Sequence, residues 1–227
     1  MAWRLWASAG TSRLANATGP TKAAYDAVTN TGGSGVGSGN PPTGFIAYTP
    51  PDRSPARSFA VGASVVYPLG RKLQLEAGIG YHFLSTRQEV GAFRSDPANL
   101  SPTNDARSFY SYGTGTSYRN EYHTIEVPLQ VGWNPHPRIT ITGGLSGSYL
   151  VASNALRFDE STGRSYKDQS DLRRTALSLL GGARYQFWKK GARAIDAGPV
   201  LQLGLSPLEQ QSGKRLSYFG LQAGFQF

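Results

Sequence analysis

The chain has 227 residues and no cysteine, which excludes a disulfide framework, a thiolate metal centre and a cysteine nucleophile. Its mean hydropathy is −0.36, and no apolar run approaches the ~18 residues of a spanning helix, so a helical membrane protein is excluded. The formal charge is +9, but no nucleic-acid motif or aromatic-interleaved basic strand set accompanies it.

Eight segments alternate apolar with polar or glycine residues, and period two means strands with two different faces. In each of them the odd-numbered side chains are expected outward. Strand one covers about Ala2–Gly10, with Trp3, Leu5, Ala7 and Ala9 out and Arg4, Trp6 and Ser8 in. Strand two covers Ser58–Pro68. Strand three covers Lys72–Arg87, with Leu73, Leu75, Ile79, Tyr81 and Phe83 out and Gln74, Glu76 and His82 in. Strands four to seven cover Asn120–Trp133, Arg138–Ser153, Arg173–Trp188 and Arg193–Ser206. The eighth, Tyr218–Phe227, places Phe219, Leu221, Ala223, Phe225 and Phe227 on one face. Glycine-rich strands flanked by aromatic residues suit a curved sheet with interfacial girdles, and 28 glycines stand beside 12 Tyr, 10 Phe and 4 Trp.

The connections alternate in length. Tyr67–Lys72, Asn134–Pro137 and Lys189–Gly191 are tight turns of Pro, Gly and Asn. Between them run long polar segments at about Thr11–Arg57, Gln88–Arg119 and Asn154–Leu172, and a shorter one at Pro207–Lys214. Short turns at one end and long loops at the other read as an all-β, transmembrane, antiparallel up-and-down barrel of eight strands, a single domain over residues 1–227. Loop one, about 11–57, is expected to be flexible because Thr31–Pro42 is a low-complexity Gly/Ser stretch. A soluble lipocalin-like barrel would turn its apolar faces inward, against the pattern seen here.

Glu126-Val-Pro-Leu-Gln-Val-Gly-Trp133, Leu73-Gln-Leu-Glu-Ala-Gly-Ile-Gly-Tyr81 and the closing Gln222-Ala-Gly-Phe-Gln-Phe227 resemble strands of the small outer-membrane β-barrel domain family of Bacteroidota-type bacteria. The resemblance implies a filled eight-stranded barrel in the bacterial outer membrane, with no cofactor and no enzymatic activity. It marks Phe225 and Phe227 as a terminal insertion signal. In some members of that broad family the barrel is the carboxy-terminal domain of a longer, envelope-spanning protein that looks like an anti-sigma regulator. Met1-Ala-Trp-Arg-Leu-Trp6 enters the strand pattern without a charged n-region, an apolar core or a cleavage site, so the chain reads as a mature form or as the barrel of such a longer protein.

The inward charged set is Arg4, Glu76, Glu126, Arg184 and Asp196, with His82 beside it. An ion-paired network filling a lumen just wide enough for side chains is the expected arrangement. Arg184 and Asp196 lie symmetrically about Lys190, so a hairpin is expected to set them side by side. Arg87, Arg119, Arg173, Arg174, Lys214 and Arg215 fall at strand edges on the loop side and are candidates to contact lipopolysaccharide phosphates. Two aromatic belts are expected, Tyr67, Trp133, Tyr185, Phe187, Trp188, Phe225 and Phe227 near the short turns and Tyr81, Phe83, Tyr122, Tyr149 and Tyr218 nearer the loops. Phe109, Tyr110, Tyr112 and Tyr118 form a cluster beyond the membrane zone whose composition suits binding.

The expected function is a non-enzymatic membrane anchor, interaction or sensing module, whose partners are outer-membrane lipid, lipopolysaccharide and another envelope protein. A narrow solute channel is the alternative. A rim-located lipid-modifying enzyme, using His82 with Ser85 or His123 with Asp105, is the weaker one. No metal site is expected.

Overall fold

The computed structural model describes residues 1–15, 51, 53–94, 108–159, 162–210 and 213–227. The eight expected strands form as β1 (Ala2–Ala15), β2 (Arg53–Pro68), β3 (Leu73–Val90), β6 (Thr116–His136), β7 (Ile139–Ser153), β10 (Thr175–Lys190), β11 (Arg193–Gly204) and β12 (Arg215–Gln226). They close into a barrel in which each strand pairs antiparallel with its neighbours in chain order, and β12 returns to β1. Four short strands, β4 (Phe93–Arg94), β5 (Phe109–Tyr110), β8 (Leu156–Asp159) and β9 (Arg164–Lys167), make a separate sheet in the order β4-β5-β9-β8.

The wall follows the odd-outward parity. Leu129 pairs with Leu145, Leu145 with Leu179 and Leu179 with Leu203, giving a leucine row across β6, β7, β10 and β11. All four are exposed. Water would penalise such a row, whereas bilayer hydrocarbon accepts it, and the closed ring leaves no strand edge unpaired within it. Tyr67, Trp133, Tyr185, Phe187, Phe225 and Phe227 are exposed around the short-turn end.

Three expectations change. Strand β1 runs on to Ala15 and β2 starts at Arg53, so part of the expected flexible 11–57 loop is barrel wall; Thr31–Pro42 lies outside the described residues. Outward polar residues such as Thr11 and Arg13 extend the strand because the wall continues past the hydrocarbon, where they are solvated, while Ser12 between them points inward to Ser58 and the Ser85 carbonyl. Tyr122 and Tyr218 do not join the upper girdle. Both are even-numbered, and they point inward at 0% and 3% exposure. Phe59 and Phe219 stand exposed on the outer face on the loop side.

The third change concerns the β10–β11 hairpin. Its turn sits at Gly191, whose φ of 62° favours glycine. Lys190 lies opposite Arg193, so the hairpin is centred past Lys190, and the bulge between Gln186 and Trp188 makes up only part of that shift, setting Asp196 opposite Gln186. Arg184 and Asp196 are therefore offset along the ladder rather than paired across it.

Candidate functional site: the filled lumen and the loop platform

The lumen is occupied at successive levels. Nearest the short turns, Arg4 on β1 is 2% exposed and fully engaged. It donates from Nη2 and Nε to the Asp196 carboxylate at 2.7 and 3.3 Å, and from Nη1 to Glu76 Oε1 at 3.3 Å. Glu76 also accepts from Ser64 Oγ at 2.7 Å and pairs with Arg184 Nη2 at 2.9 Å. The Arg4 guanidinium lies over Gly224, where a Cβ would stand 2.6 Å from its Nε and Cζ. The alternating pattern thus places glycine where the β12 backbone must make room for arginine.

The next level carries Trp6, His82, Glu126 and Gln202. The Trp6 indole lies against Gly62 and Gly80, where Cβ atoms would come to 2.5 and 2.8 Å. It meets the His82 ring edge-on at 5.9 Å. His82 Nε2 lies 3.3 Å from Glu126 Oε2, which also accepts from Gln202 Nε2 at 3.0 Å. The five charged residues expected inside, with His82, are all buried here. Their pairing is Arg4 with Asp196 and Glu76, Arg184 with Glu76, and His82 with Glu126. Double-mutant cycles are expected to give a larger coupling for Arg184 with Glu76 than for Arg184 with Asp196, and equal couplings in urea unfolding would contradict the arrangement.

Above this polar half lies an apolar one that the sequence reading did not anticipate. Leu14, Leu84, Tyr122, Leu150, Ala155, Leu172, Leu208 and Tyr218 form one buried cluster. A gap of about 30 Å³ remains beside it, with Ser148, Ser178, Gln202 and Ser217 in its lining. The signal was present in the sequence as leucines at even positions near the loop ends of strands, where a water-filled lumen would have polar residues.

A second ion pair caps the cluster. Arg53, at the start of β2, pairs with Glu209 and donates to Gln88 Oε1 at 3.0 Å, Tyr122 Oη at 3.3 Å and the Leu156 carbonyl at 3.0 Å. Asn120 ties the same layer together, donating to Gln88 at 3.2 Å and accepting from the Leu156 amide at 2.9 Å. Two connections between barrel strands, β7–β10 through Leu156 and β11–β12 through Glu209, meet at this layer.

The β4-β5-β9-β8 sheet stands on the loop side. The aromatic cluster expected in loop two joins loop three: Phe109 pairs in register with Tyr166 of β9, and Tyr112 meets Phe158 at 6.3 Å. Tyr110 packs on Phe93 at 5.1 Å and on Tyr118 at 5.2 Å. Arg164 covers the Phe109 ring at 4.3 Å. Past the β8–β9 hairpin, Arg157 Nη1 reaches Asp168 at 3.2 Å.

The Ser170 amide, 2.9 Å from Asp168, holds that carboxyl below its ordinary value, helped by the Ser170 hydroxyl and Arg157. A depressed carboxylate stabilises the folded loop above the ordinary value of 3.8 and loses that contribution as pH falls through its folded value. Acidification is expected to release the Ser170 amide in step with protonation of Asp168, and Asp168→Asn to abolish the step. Amide and carboxyl shifts that titrate separately in NMR would count against it.

His82 is not partnered as the rim-enzyme alternative expected. His82 faces Glu126, and the Ser85 hydroxyl donates to the Arg57 carbonyl at 2.6 Å, so the two do not form a pair. His123 faces outward and shares a hydrogen bond of 2.6 Å with the Tyr81 hydroxyl. Asp105 lies outside the described residues. His136, at the short-turn end, accepts from the Arg138 amide at 3.3 Å. Among the described residues no three His, Asp or Glu side chains gather as metal ligands.

The six candidate lipopolysaccharide contacts do not converge. Arg87 and Arg119 are directly opposite one another on β3 and β6. Arg173 and Arg174 precede β10 and are exposed, whereas Lys214 and Arg215, at the start of β12, are half-buried. Arg13 and Arg57, assigned to loop one by the sequence reading, stand on the wall near the first pair. Phe225 and Phe227 stack at 5.8 Å, and Phe227 exchanges backbone hydrogen bonds of 2.9 Å with Trp3 across the β12–β1 seam.

No protein-family model matches the sequence, and no curated protein matches it. Among solved structures the chain is similar to the crystal structure of Ail, the attachment invasion locus protein of Yersinia pestis. The TM-score is 0.38 and the identity 15%, over 100% of this chain and 98% of that one. The crystal structure of the same protein in complex with the heparin analogue sucrose octasulfate aligns over the same shares, at a TM-score of 0.39 and 13% identity. With its closed antiparallel ring, outward leucine wall, aromatic belt and loop-bearing end, the chain has the fold of an eight-stranded transmembrane β-barrel.

Proposed function

We propose that the protein is a non-enzymatic anchor and interaction module of the outer membrane. In this reading it meets lipopolysaccharide and a partner protein of the envelope through its loop end. The observation that carries the proposal is the occupied lumen. Arg4, Glu76, Glu126, Arg184 and Asp196 are buried inside, an apolar cluster lies above them and the Arg53–Glu209 pair caps that cluster. A solute path would have to part all three layers, and a buried ion pair opposes removal of either partner by about 3–5 kcal/mol. The aromatic and arginine-bearing loop sheet then supplies the working surface.

The purified barrel is expected to show no steady conductance in planar bilayers. It is expected to bind lipopolysaccharide vesicles in a manner weakened by shortening the β4–β5 and β8–β9 segments. A stable open channel, unaffected by loop shortening, would promote the channel reading, for which Ser148, Ser178, Gln202 and Ser217 beside the 30 Å³ gap are the favourable observation.

A further inference from the structure

On the outer wall, just above the upper ring of aromatics, the register brings arginines together with few acids between them. Arg87 on β3 lies directly opposite Arg119 on β6. Arg57 lies on β2 at the other side of β3, and Arg119 reaches across that strand. Its Nη2 donates to the Arg57 carbonyl at 3.1 Å, with its guanidinium 5.1 Å from the centre of the Phe83 ring. Arg13 continues the row on β1, two residues past Thr11, which pairs with Arg57.

All four have odd numbers on wall strands, and all are exposed. Like charges directly opposite across strands oppose pairing unless something neutralises them. The acids nearby are Glu121, 3.7 Å from Arg119 Nε and also bonded to Asn154, and the exposed Glu89. Among the described residues no carboxylate pairs with Arg13, Arg57 or Arg87.

The depth of the cluster is set by the rings beneath it. Phe59 stacks on Phe83 at 5.1 Å, and Tyr81 is hydrogen-bonded to His123. Outward rings of this kind settle at the boundary between hydrocarbon and headgroups. Arg119, lying on Phe83, is therefore at headgroup depth and faces lipid sideways.

We propose that Arg57, Arg87 and Arg119, extended by Arg13, form a binding site on the barrel wall for the phosphate groups of an anionic glycolipid of the lipid A type in the surrounding leaflet. Guanidinium forks grip phosphate oxygens in pairs, and the aromatic shelf carries the acyl side of the same lipid. The site rests on the outer-membrane anchor reading for its orientation, but not on the lumen being closed. A conducting barrel would defeat that reading and leave this site standing.

The test is native mass spectrometry of the detergent-solubilised barrel titrated with diphosphoryl lipid A and with its dephosphorylated form. The triple variant R57Q/R87Q/R119Q is expected to bind diphosphoryl lipid A at least about tenfold more weakly, from a factor of about five per arginine near a charged surface. The variant K189Q/K190Q, at the short-turn end of the barrel, is expected to stay within about twofold, and the dephosphorylated lipid to bind wild type and triple variant alike. Retained binding in the triple variant, an equal loss in K189Q/K190Q, or undiminished binding of the dephosphorylated lipid to wild type would each overturn the site. Heat-modifiable mobility reports folding. Should the triple variant not fold, Arg87→Gln alone, whose side chain makes no ion pair with a described residue, is expected to lose about fivefold, and no loss would overturn the site equally.

Discussion

Replacing Arg4 with methionine is expected to destabilise the barrel by about 3–5 kcal/mol, among the largest effects of any single substitution. Arg4 bridges Asp196 and Glu76 in the lumen with direct ion pairs to both. Glu76 retains Arg184 and Ser64, but Asp196 loses the arginine that accounts for its ion pair. Methionine fills much of the volume and restores none of the charge. Urea unfolding from vesicles measures the loss, and the change Asp196→Asn made in the same chain is expected to recover part of it, because the uncompensated charge goes with it. A loss below about 1 kcal/mol would show that the network is solvated rather than sealed. Gly224→Ala tests the same guanidinium from the other side, since the new methyl occupies the space that Arg4 holds.

The second large effect lies on the outer face. Leu179→Arg is expected to cost about 2–4 kcal/mol, because Leu179 sits between Leu145 and Leu203 in the middle of the lipid-facing wall. Val151→Arg, exposed near the loop end of β7 just past Tyr149, is expected to cost about 1 kcal/mol or less, since the penalty falls toward the interface. Equal costs at the two positions would contradict the assignment of the wall to lipid. Gln202 is no neutral comparator, although its parity marks it simply as an inward polar residue. It donates to Glu126, and its loss exposes that carboxylate to an unsatisfied environment.

The wall was legible because its rule is simple. Period-two alternation needs only the difference between lipid and not-lipid, so Leu129, Leu145, Leu179 and Leu203 could each be assigned a side from parity alone. The inward charged residues were legible for the same reason. Their pairing was not, because the β10–β11 turn is centred past Lys190, which lies opposite Arg193, and the bulge at Gln186 makes up only part of that shift. Parity also assigned Tyr122 and Tyr218 inward, but their aromatic character drew them to the girdle in the reading, and sidedness outweighed residue type.

The apolar upper lumen and the Arg53 cap were hidden for a different reason. They join β1, β3, β6, β7 and β12 with loop residues such as Leu172, Leu208 and Glu209, contacts that no local pattern encodes. Arg13 and Arg57 were assigned to a loop because the wall strands continue past the hydrocarbon, and there outward positions are as polar as any loop.

The β12–β1 seam has a consequence for how the molecule is made. Arg4 to Ala15 run in register against Gln226 to Arg215, so the ring joins residues more than two hundred positions apart in sequence. Each hairpin along the chain can form from neighbours, but this ladder waits for all of them, and contacts so distant form slowly. Until it does, the unfinished sheet has two open edges, β1 and β12, both with apolar outer faces and unpaired amides. Such edges invite pairing with any other strand nearby. Folding therefore depends on keeping both edges from other strands until they meet.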